Sequence, residues 1–321
     1  MKFGVIGYGS IGKRHVENLI SLGYEDIKLL RNIGEGNQHQ LPEFNTFSKF
    51  AEDLDAIVLA NPTSLHYRYL KLILKKNINV LVEKPLVGST KDLKLLSRQM
   101  ENYNAIGMIG YNMRFHPCII KTQKELMSKK LGRIYSARFF VGQHLPDWRD
   151  GAKYYETYSA NVKLGGGVLL DLIHEIDLAH YLIGAPSNSI KSEVSKSSSL
   201  QISTEDIAEI LYRTEKNSLV SIHLDYLTRG YKRYIEIIAE RGTIFTNLHS
   251  KKFNITVEGN KRKSTYFPQF SKNDMYVDLL RSFINAIKNK KETALGLKNG
   301  ILSNKIALSI REKYYEGIKI K

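Results

Sequence analysis

The chain has 321 residues, 42% of them hydrophobic and 25% charged, which is typical of a folded protein and sufficient for two domains. No apolar run is long enough to span a membrane, and residues 1–23 lack the apolar core and cleavage site of a signal peptide. A single cysteine, Cys118, excludes an internal disulfide and the cysteine spacing of a zinc site. We therefore expect a cytoplasmic globular protein without a metal site.

The charge balance is strongly basic. Lysine and arginine number 48 against 32 aspartates and glutamates, which gives a net charge of +16. Such a field attracts nucleic acids, anionic membranes or phosphorylated small molecules. The basic residues are scattered in pairs and triplets, however, without a basic arm, helix-turn-helix or zinc-finger spacing. We expect a generally basic surface that binds neither nucleic acid nor membrane.

Short apolar strands alternate with helices through the first third of the chain. Strands are predicted at 2–6, 27–31, 56–60, 79–82 and 105–110, and helices from the glycine turn to about 22, at 65–76 and at 90–101. Strands separated by helices of this length form right-handed βαβ units. Residues 1–117 are therefore predicted to form an α/β domain with a doubly wound parallel sheet.

The rest of the chain has a different order of predicted helices and strands. Predicted elements are a helix at 117–129, a strand at 132–143, a helix within 165–182, extended runs from 190 to 267, and helices at 275–288 and 298–315. This order predicts an α+β domain at 118–321 with an open, largely antiparallel sheet. Apolar residues in the run 219–227 fall on both faces, which predicts a sheet covered on both sides and favours self-association.

The turn after the first predicted strand reads Gly-Tyr-Gly-Ser-Ile-Gly and matches the pattern G-x-G-x-x-G. Gly7 permits the tight turn, Gly9 lets a pyrophosphate approach the backbone, and Gly12 lets the helix pack on the strand. A helix follows the turn, and its N–H groups and positive dipole end would face the phosphates; Ser10 and Ile11 of the turn are expected cofactor contacts. The pattern predicts dinucleotide binding. The alternative is a glycine-rich turn in a chain with 23 glycines.

The end of the second predicted strand bears on the choice of cofactor. Dinucleotide-binding folds carry an acidic residue there, which holds the adenosine ribose hydroxyls. This chain has Arg31 and Asn32 instead. Because a guanidinium pairs well with a 2′-phosphate, the sequence favours NADP over NAD. The alternative is an exposed arginine beside a ribose that backbone groups hold.

Glu83 and Lys84 follow a predicted buried strand, at the sheet edge where open α/β folds bind ligands. Pro85 favours an extended conformation at Lys84, which would aim the lysine into a cleft. An oxidised nicotinamide would destabilise a nearby ammonium, so that the lysine exchanges protons near neutral pH. The alternative is a solvated lysine at a strand end.

A second constellation follows three consecutive glycines at 165–167. On a regular helix Asp171 and His174 lie at i and i+3, on one face, and Glu175 shares that face. A histidine oriented by a carboxylate is a suitable proton relay between an alcohol and a ketone. The alternative is a capped helix with a hydrogen-bonded histidine.

Together these motifs resemble those of the Gfo/Idh/MocA family of NAD(P)-dependent oxidoreductases, over nearly the whole chain. The resemblance rests on the glycine turn, Asn61-Pro62-Thr63-Ser64-Leu65-His66, Glu83-Lys84-Pro85, Gly110-Tyr111-Asn112-Met113-Arg114-Phe115, the three glycines and His174-x-x-Asp177. It implies a Rossmann domain followed by an open-sheet domain, with the nicotinamide and substrate between them. It also implies a homodimer or homotetramer.

The resemblance implies a role for each candidate residue. Lys84 would polarise the reacting oxygen of a sugar or cyclitol, His174 would be the general acid/base, and Asp171 would orient it or hold a neighbouring hydroxyl. Inositol dehydrogenases carry the acid four residues before the histidine, where this chain has Leu170. The remaining expected cofactor contacts are Asn61, Pro62, His66, Glu83 and Lys84. The remaining expected substrate contacts are Arg114, Trp148, Arg149 and Tyr158, although aromatic residues in that loop fit packing equally well.

Two classes of function follow. The first is an NADP-preferring oxidoreductase acting on a sugar, and a nucleotide-activated sugar for surface glycans would suit the basic charge. A free cyclitol or monosaccharide dehydrogenase is the alternative enzyme. The second class is a non-catalytic NAD(P)-binding sensor, which would need the glycine turn but not Lys84, His174 and Asp171.

Overall fold

The structure is a computed structural model that describes residues 1–31, 36–148, 151, 153–187 and 189–319. The chain forms two compact units, each built from two stretches. The first unit comprises Met1–Tyr111 and Tyr276–Lys305, and the second comprises Asn112–Met275 and Ile306–Lys321. This division differs from the predicted contiguous domains 1–117 and 118–321, because a late stretch of the chain returns to the first unit.

The first unit contains a parallel sheet whose six strands, in the described residues, have the order β3-β2-β1-β4-β5-β6. The strands are β1 (Phe3–Ile6), β2 (Ile27–Leu30), β3 (Glu43–Phe44), β4 (Ala56–Leu59), β5 (Asn79–Val82) and β6 (Gly107–Ile109). The helices of its first stretch are α1 (Ser10–Ser21), α2 (Phe47–Phe50), α3 (His66–Lys75) and α4 (Thr90–Gln99). The central strands are buried along their whole length, as in a sheet covered on both faces. The predicted doubly wound fold is confirmed.

Residues far along the chain complete this unit. The N–H of Ile109 donates to the carbonyl of Leu295 at 3.0 Å, which extends the pairing of β6. The buried amide of Asn304 accepts from the N–H of Val87 and donates to its carbonyl, both at 3.1 Å. Each of these buried groups would cost about 1–3 kcal/mol without a partner. These hydrogen bonds therefore hold the late stretch in the first unit.

The second unit contains an eight-stranded sheet in the described residues, with the order β14-β13-β12-β11-β7-β10-β9-β8. β7 and β10 pair in parallel, and the other neighbours are antiparallel. The strands are β7 (Ile134–Gly142), β8 (Lys191–Ser195), β9 (Ile207–Arg213), β10 (Leu219–Asp225), β11 (Lys232–Ala239), β12 (Gly242–Asn247), β13 (Lys252–Val257) and β14 (Lys261–Tyr266). The prediction of an open, largely antiparallel sheet is confirmed.

The remaining helices are α5 (Pro117–Met127), α6 (Val168–Asp171), α7 (His174–Leu182), α8 (Asp274–Asn289) and α9 (Leu297–Lys319). None of the helices in the described ranges is both long enough and apolar enough to cross a bilayer. α6 and α7 divide the predicted helix within 165–182, because Leu172 (φ −99°, ψ 23°) leaves the helical conformation. The regular i, i+3 geometry expected of Asp171 and His174 therefore does not apply.

The two faces of the second sheet differ. Alternate side chains of β10 are fully buried, namely Val220, Ile222 and Leu224. Helices α5, α6 and α7 contact this sheet. On the opposite face Leu211, Ile238 and Phe245 are 37–43% exposed. Within one chain this face is open, and the apolar residues of β10 alternate with its pleat rather than falling on both faces. The predicted covering of both faces, which favours self-association, stays a prediction.

His116 begins α5 with an unusual cap. Its Nδ1 accepts a hydrogen bond from the N–H of Cys118 at 3.2 Å, and its ring packs 4.7 Å from that of Phe270. Burial, and then the charge of Arg233, lowers the pKa of His116 from 6.5 to about 4. Because protonation would remove the accepting lone pair, the cap requires the neutral ring.

We expect the free energy of unfolding to fall as the pH decreases from about 6.5 to about 4, because the unfolded chain takes up a proton at His116 before the folded chain does. The slope from this group is at most about 1.4 kcal/mol per pH unit. His116→Asn keeps a capping side chain without a titrating ring, so the slope should flatten. Denaturant titrations between pH 4 and 7 measure it, with the exposed His249→Asn as the control. Equal slopes in wild type and His116→Asn would contradict the assignment.

Candidate functional site

The turn after β1 is shaped by three glycines with different surroundings. Gly7 has a φ of +90°, and a Cβ there would lie 2.7 Å from the backbone of Asn61. A Cβ at Gly12 would lie 2.0 Å from the carbonyl oxygen of Gly7, whereas one at Gly9 would meet no atom within 4 Å. Packing therefore requires Gly7 and Gly12, and Gly9 faces open space.

The N-terminus of α1 is open to an anion. Gly9 is its N-cap, no described side chain caps it, and its first turn has no acidic residue. Ser10 and Ile11 lie in that turn. The N–H groups and the positive end of the helix dipole are thus available to a negatively charged ligand.

A cleft lies at the point where the strand order of the first sheet reverses, between β1 and β4. Ligands of doubly wound sheets bind at such a point. The cleft is lined by Ile6, Gly7, Leu30, Arg31, Asn45, Asn61, Leu65 and Tyr69. Both Nδ2 and Oδ1 of Asn61 are buried and have no hydrogen-bond partner among the described residues. A dinucleotide fits this site, because it offers phosphates to α1 and polar ribose groups to Asn61.

His66 joins two loops at this edge of the sheet. Its buried Nε2 lies 2.9 Å from the carbonyl oxygen of Asn61, and its Nδ1 lies 2.9 Å from that of Pro85. Burial lowers the pKa of His66, although the backbone carbonyls and Glu83 oppose the shift. These contacts make His66 a positioning residue for both loops. Its predicted contact with a cofactor stays a prediction, as does that of the exposed Pro62.

Glu83 and Lys84 follow β5. Oε1 of Glu83 lies 2.7 Å from Nε2 of the fully buried His15, which belongs to α1. A Cβ at Gly110 would meet the Glu83 carboxylate at 3.0 Å. Lys84 is half-buried, and its bond to Pro85 is cis. Glu83 thus ties the end of β5 to α1.

Arg31 is engaged by a carboxylate. Its Nε and Nη2 each donate to Glu43 at 2.9 Å, and Nη2 also donates to the carbonyl of Gly36 at 2.9 Å. The hydrogen bonds from Arg31 hold the pKa of Glu43 below its usual value. The NADP preference predicted from Arg31 assumed a guanidinium available to a phosphate, and the structure gives it Glu43 instead. Asn32 lies outside the described residues.

In the second unit, Asp171 is held by a tyrosine. The hydroxyl of Tyr226 donates to Oδ2 of Asp171 at 2.6 Å, and both residues are buried. Burial, and then the charge of Asp171, raises the pKa of Tyr226 well above its usual value, so it is a neutral donor. The Trp148 ring meets that of Tyr226 edge-on at 5.1 Å. Tyr226 was not among the predicted site residues, because a tyrosine ending an apolar alternation predicts only a strand.

Two buried ion pairs involve residues just after His174, which is itself 9% exposed. Arg233 donates to both oxygens of Glu175 at 2.6 and 3.0 Å. Arg114 donates to both oxygens of Asp177 at 2.8 and 2.6 Å. The structure thus gives Arg114 a carboxylate partner within the second unit. Its predicted contact with substrate stays a prediction.

The polar aromatic loop packs on the three glycines. The hydroxyl of Tyr158 donates to the carbonyl of Gly165 at 2.9 Å. A Cβ at Gly166 would lie 2.3 Å from the carbonyl oxygen of Tyr158. The indole of Trp148 donates to the carbonyl of Gln143 at 3.0 Å. These contacts favour the packing alternative for Tyr158 and Trp148, and Arg149 lies outside the described residues.

The predicted site residues fall into two groups. In the first unit, Gly7 of the glycine turn, Arg31 and Asn61 line one cleft. In the second unit, Trp148 and Asp171 both contact Tyr226. Within the described ranges, no three His, Cys, Asp or Glu residues are placed to hold a metal ion. Lys84 belongs to the first unit and His174 to the second.

Comparison with known proteins gives matches to both units. The family model described as "Oxidoreductase family, NAD-binding Rossmann fold" matches residues 1–111. The model described as "GFO/IDH/MocA C-terminal domain" matches residues 119–245. Together the two matches cover most of the chain.

Relatives and solved structures are similar over nearly their full length. Myo-inositol 2-dehydrogenase of Thermotoga maritima is 24% identical, over 100% of this chain and 98% of its own. Levoglucosan dehydrogenase in complex with NADH has a TM-score of 0.88 at 16% identity, over 98% of this chain and 97% of that one. UDP-N-acetylglucosamine 3-dehydrogenase from Acidithiobacillus ferrooxidans has a TM-score of 0.79 at 18% identity, over 97% and 96%.

We expect alanine at two glycines of the turn to change different properties, namely NADH binding at Gly9 and stability at Gly12. Gly9→Ala should weaken NADH binding about tenfold or more, because its methyl group enters the space over the α1 N-terminus, with stability changed by less than about 0.5 kcal/mol. Gly12→Ala should destabilise the protein by about 1–3 kcal/mol through its clash with Gly7. Fluorescence titration with NADH and denaturant unfolding measure the two effects. Normal NADH binding by Gly9→Ala would place the phosphates elsewhere.

Proposed function

Since the chain belongs to the Gfo/Idh/MocA family of oxidoreductases, we propose that it transfers a hydride between a nicotinamide cofactor and a hydroxyl-bearing or keto carbon of a sugar. The observation that carries this proposal is the open glycine turn at the strand-order reversal, beside the buried amide of Asn61. The similar proteins are named as dehydrogenases of inositol, levoglucosan and UDP-N-acetylglucosamine, which supports a hydroxylated ring as the substrate.

Within this class we propose a nucleotide-activated sugar, used in surface-glycan synthesis, as the substrate. The net charge of +16 supports an anionic substrate over a neutral one. A free cyclitol or monosaccharide is the second candidate, and the relative named myo-inositol 2-dehydrogenase favours it. Leu170, in place of the acid that inositol dehydrogenases carry, argues against inositol itself.

A nicotinamide would supply the hydride chemistry when bound. The backbone of Gly9 and the first turn of α1 would hold its pyrophosphate, and the amide of Asn61 would take a polar partner from it. Lys84 donates a hydrogen bond to the reacting oxygen and stabilises the negative charge that grows on it during oxidation. His174 removes the hydroxyl proton in that direction and returns it in the other. Tyr226 fixes the carboxylate of Asp171, three residues before His174, where it would orient the histidine or hold a neighbouring hydroxyl of the substrate.

We expect Lys84→Met and His174→Asn each to lower kcat/KM by about a hundredfold or more while leaving the dissociation constant for NADH within about threefold of wild type. The assay follows NADH or NADPH absorbance with UDP-N-acetylglucosamine, myo-inositol and glucose. Lys91→Met and His249→Asn make the same changes at exposed positions and serve as controls.

The outcomes separate the two classes of function. Wild-type turnover in Lys84→Met would remove Lys84 from the mechanism. NADH binding without turnover of any tested sugar would favour the sensor.

We also propose that the protein forms a homo-oligomer through the exposed face of its second sheet. Aromatic rings form a row across four strands of this face. Phe140 stacks on His223 at 4.5 Å and on Tyr234 at 5.0 Å, and Tyr234 lies 5.6 Å from Phe245. Together with the exposed Leu211 and Ile238, the row forms an apolar surface of the kind that associates.

We expect the double variant Ile238→Glu/Phe245→Glu to be a monomer, because the two carboxylates would lose their hydration in the contact. Light scattering on a sizing column at micromolar concentration measures the mass. Ile120→Glu changes an equally exposed residue on α5 and should keep the oligomer. A monomeric wild type would refute the proposed contact.

A further inference from the structure

We propose that Glu43 makes this protein prefer NAD(H) to NADP(H), by occupying the guanidinium of Arg31. The inference rests on the proposed nicotinamide-dependent function and names which of the two cofactors the cleft accepts. It reverses the preference that Arg31 alone predicts.

The Arg31–Glu43 contact is a complete fork. Nε and Nη2 of Arg31 donate to different oxygens of the carboxylate, both at 2.9 Å. Nδ2 of Asn37 donates to Oε1 of Glu43 at 2.8 Å, which fixes the carboxylate from a second direction. The side chains are 21% and 13% exposed. A pair that is bidentate, partly buried and additionally braced is stronger than an ordinary surface ion pair.

The strand β3 places Glu43 beside Arg31, which lines the cleft. Its Phe44 pairs with Leu30 of β2, and the N–H of Arg31 donates to the carbonyl of Phe44 at 3.0 Å. Arg31 is therefore fixed at the end of β2, where it lines the cleft with Gly7 and Asn61. Its guanidinium also lies 5.3 Å from the ring centroid of Tyr8, within the turn that faces the phosphates.

NADP differs from NAD by a phosphate on the adenosine ribose, and that phosphate needs a cation. Glu43 cancels the charge of Arg31 and takes two of its donors. A 2′-phosphate would have to displace a fixed carboxylate or lie beside it, and like charges repel. The neutral hydroxyl of NAD meets neither obstacle. Glu43 thus provides specificity by disfavouring NADP rather than by attracting NAD.

The test is a fluorescence titration of the full chain with NADH and with NADPH. Wild type should bind NADH at least about tenfold more tightly than NADPH. Glu43→Gln keeps the shape but removes the charge, so it should tighten NADPH binding by about tenfold or more, the worth of a charge-assisted hydrogen bond. NADH binding should stay within about threefold, which also shows that the variant is folded.

Two further variants show whether Glu43 acts through Arg31. Glu43→Gln/Arg31→Ala should lose the gain for NADPH, so that the two changes are strongly non-additive. Glu52→Gln removes the same charge at an exposed position of the first unit and should leave the ratio of affinities unchanged. Raising the salt concentration should reduce the NADPH gain of Glu43→Gln.

Each other outcome overturns the proposal. Wild type that binds NADPH as tightly as NADH contradicts it, as does an unchanged ratio in Glu43→Gln. A gain that persists without Arg31 would mean that Glu43 does not act through the guanidinium. Failure of every variant and of wild type to bind either dinucleotide would overturn the proposed function itself, and this inference with it.

Discussion

Three carboxylates lie buried within seven residues of the second unit, and a buried charge without a partner costs several kcal/mol. Each carboxylate takes its partner from a different part of the chain: Asp171 from Tyr226, Glu175 from Arg233 and Asp177 from Arg114. The segment around His174 is therefore accommodated only where the end of β10, the start of β11 and the turn before α5 come together. These pairings, more than helical propensity, fix His174, since the helix itself is interrupted at Leu172.

The three pairings are not electrically equal. Arg233 and Arg114 carry charges opposite to those of their carboxylates, whereas the Tyr226 hydroxyl is a neutral donor to Asp171. The segment is thus held by two ion pairs and by one hydrogen bond from a neutral group. The first unit uses the same chemistry differently, because Glu43 neutralises Arg31, a residue that lines the cleft. In both units the partner of a charged group decides what that group offers to a ligand.

Local patterns predicted most of the fold and only part of the site. Five of the six strands of the first sheet, the helices α1, α3 and α4, and the roles of Gly7 and Gly12 follow from apolar period and steric need, which are local. β3 has only two residues and no apolar period, so the sequence did not predict Glu43 as a site residue. Its carboxylate nevertheless pairs with the guanidinium of Arg31. The partners of Arg114 and Arg31 lie 63 and 12 residues away. Such pairings between distant residues form only when the sheets are folded, and local patterns in a single sequence do not predict them.

The return of the chain to the first unit has a consequence for synthesis. A ribosome makes β6 early, but its backbone partner at Leu295 comes only after every strand of the second sheet. Until then the nascent chain carries an unpaired edge strand, which is a template for aggregation. The first sheet is thus begun first and completed last, and protection of this edge during translation becomes a requirement for producing the protein in quantity.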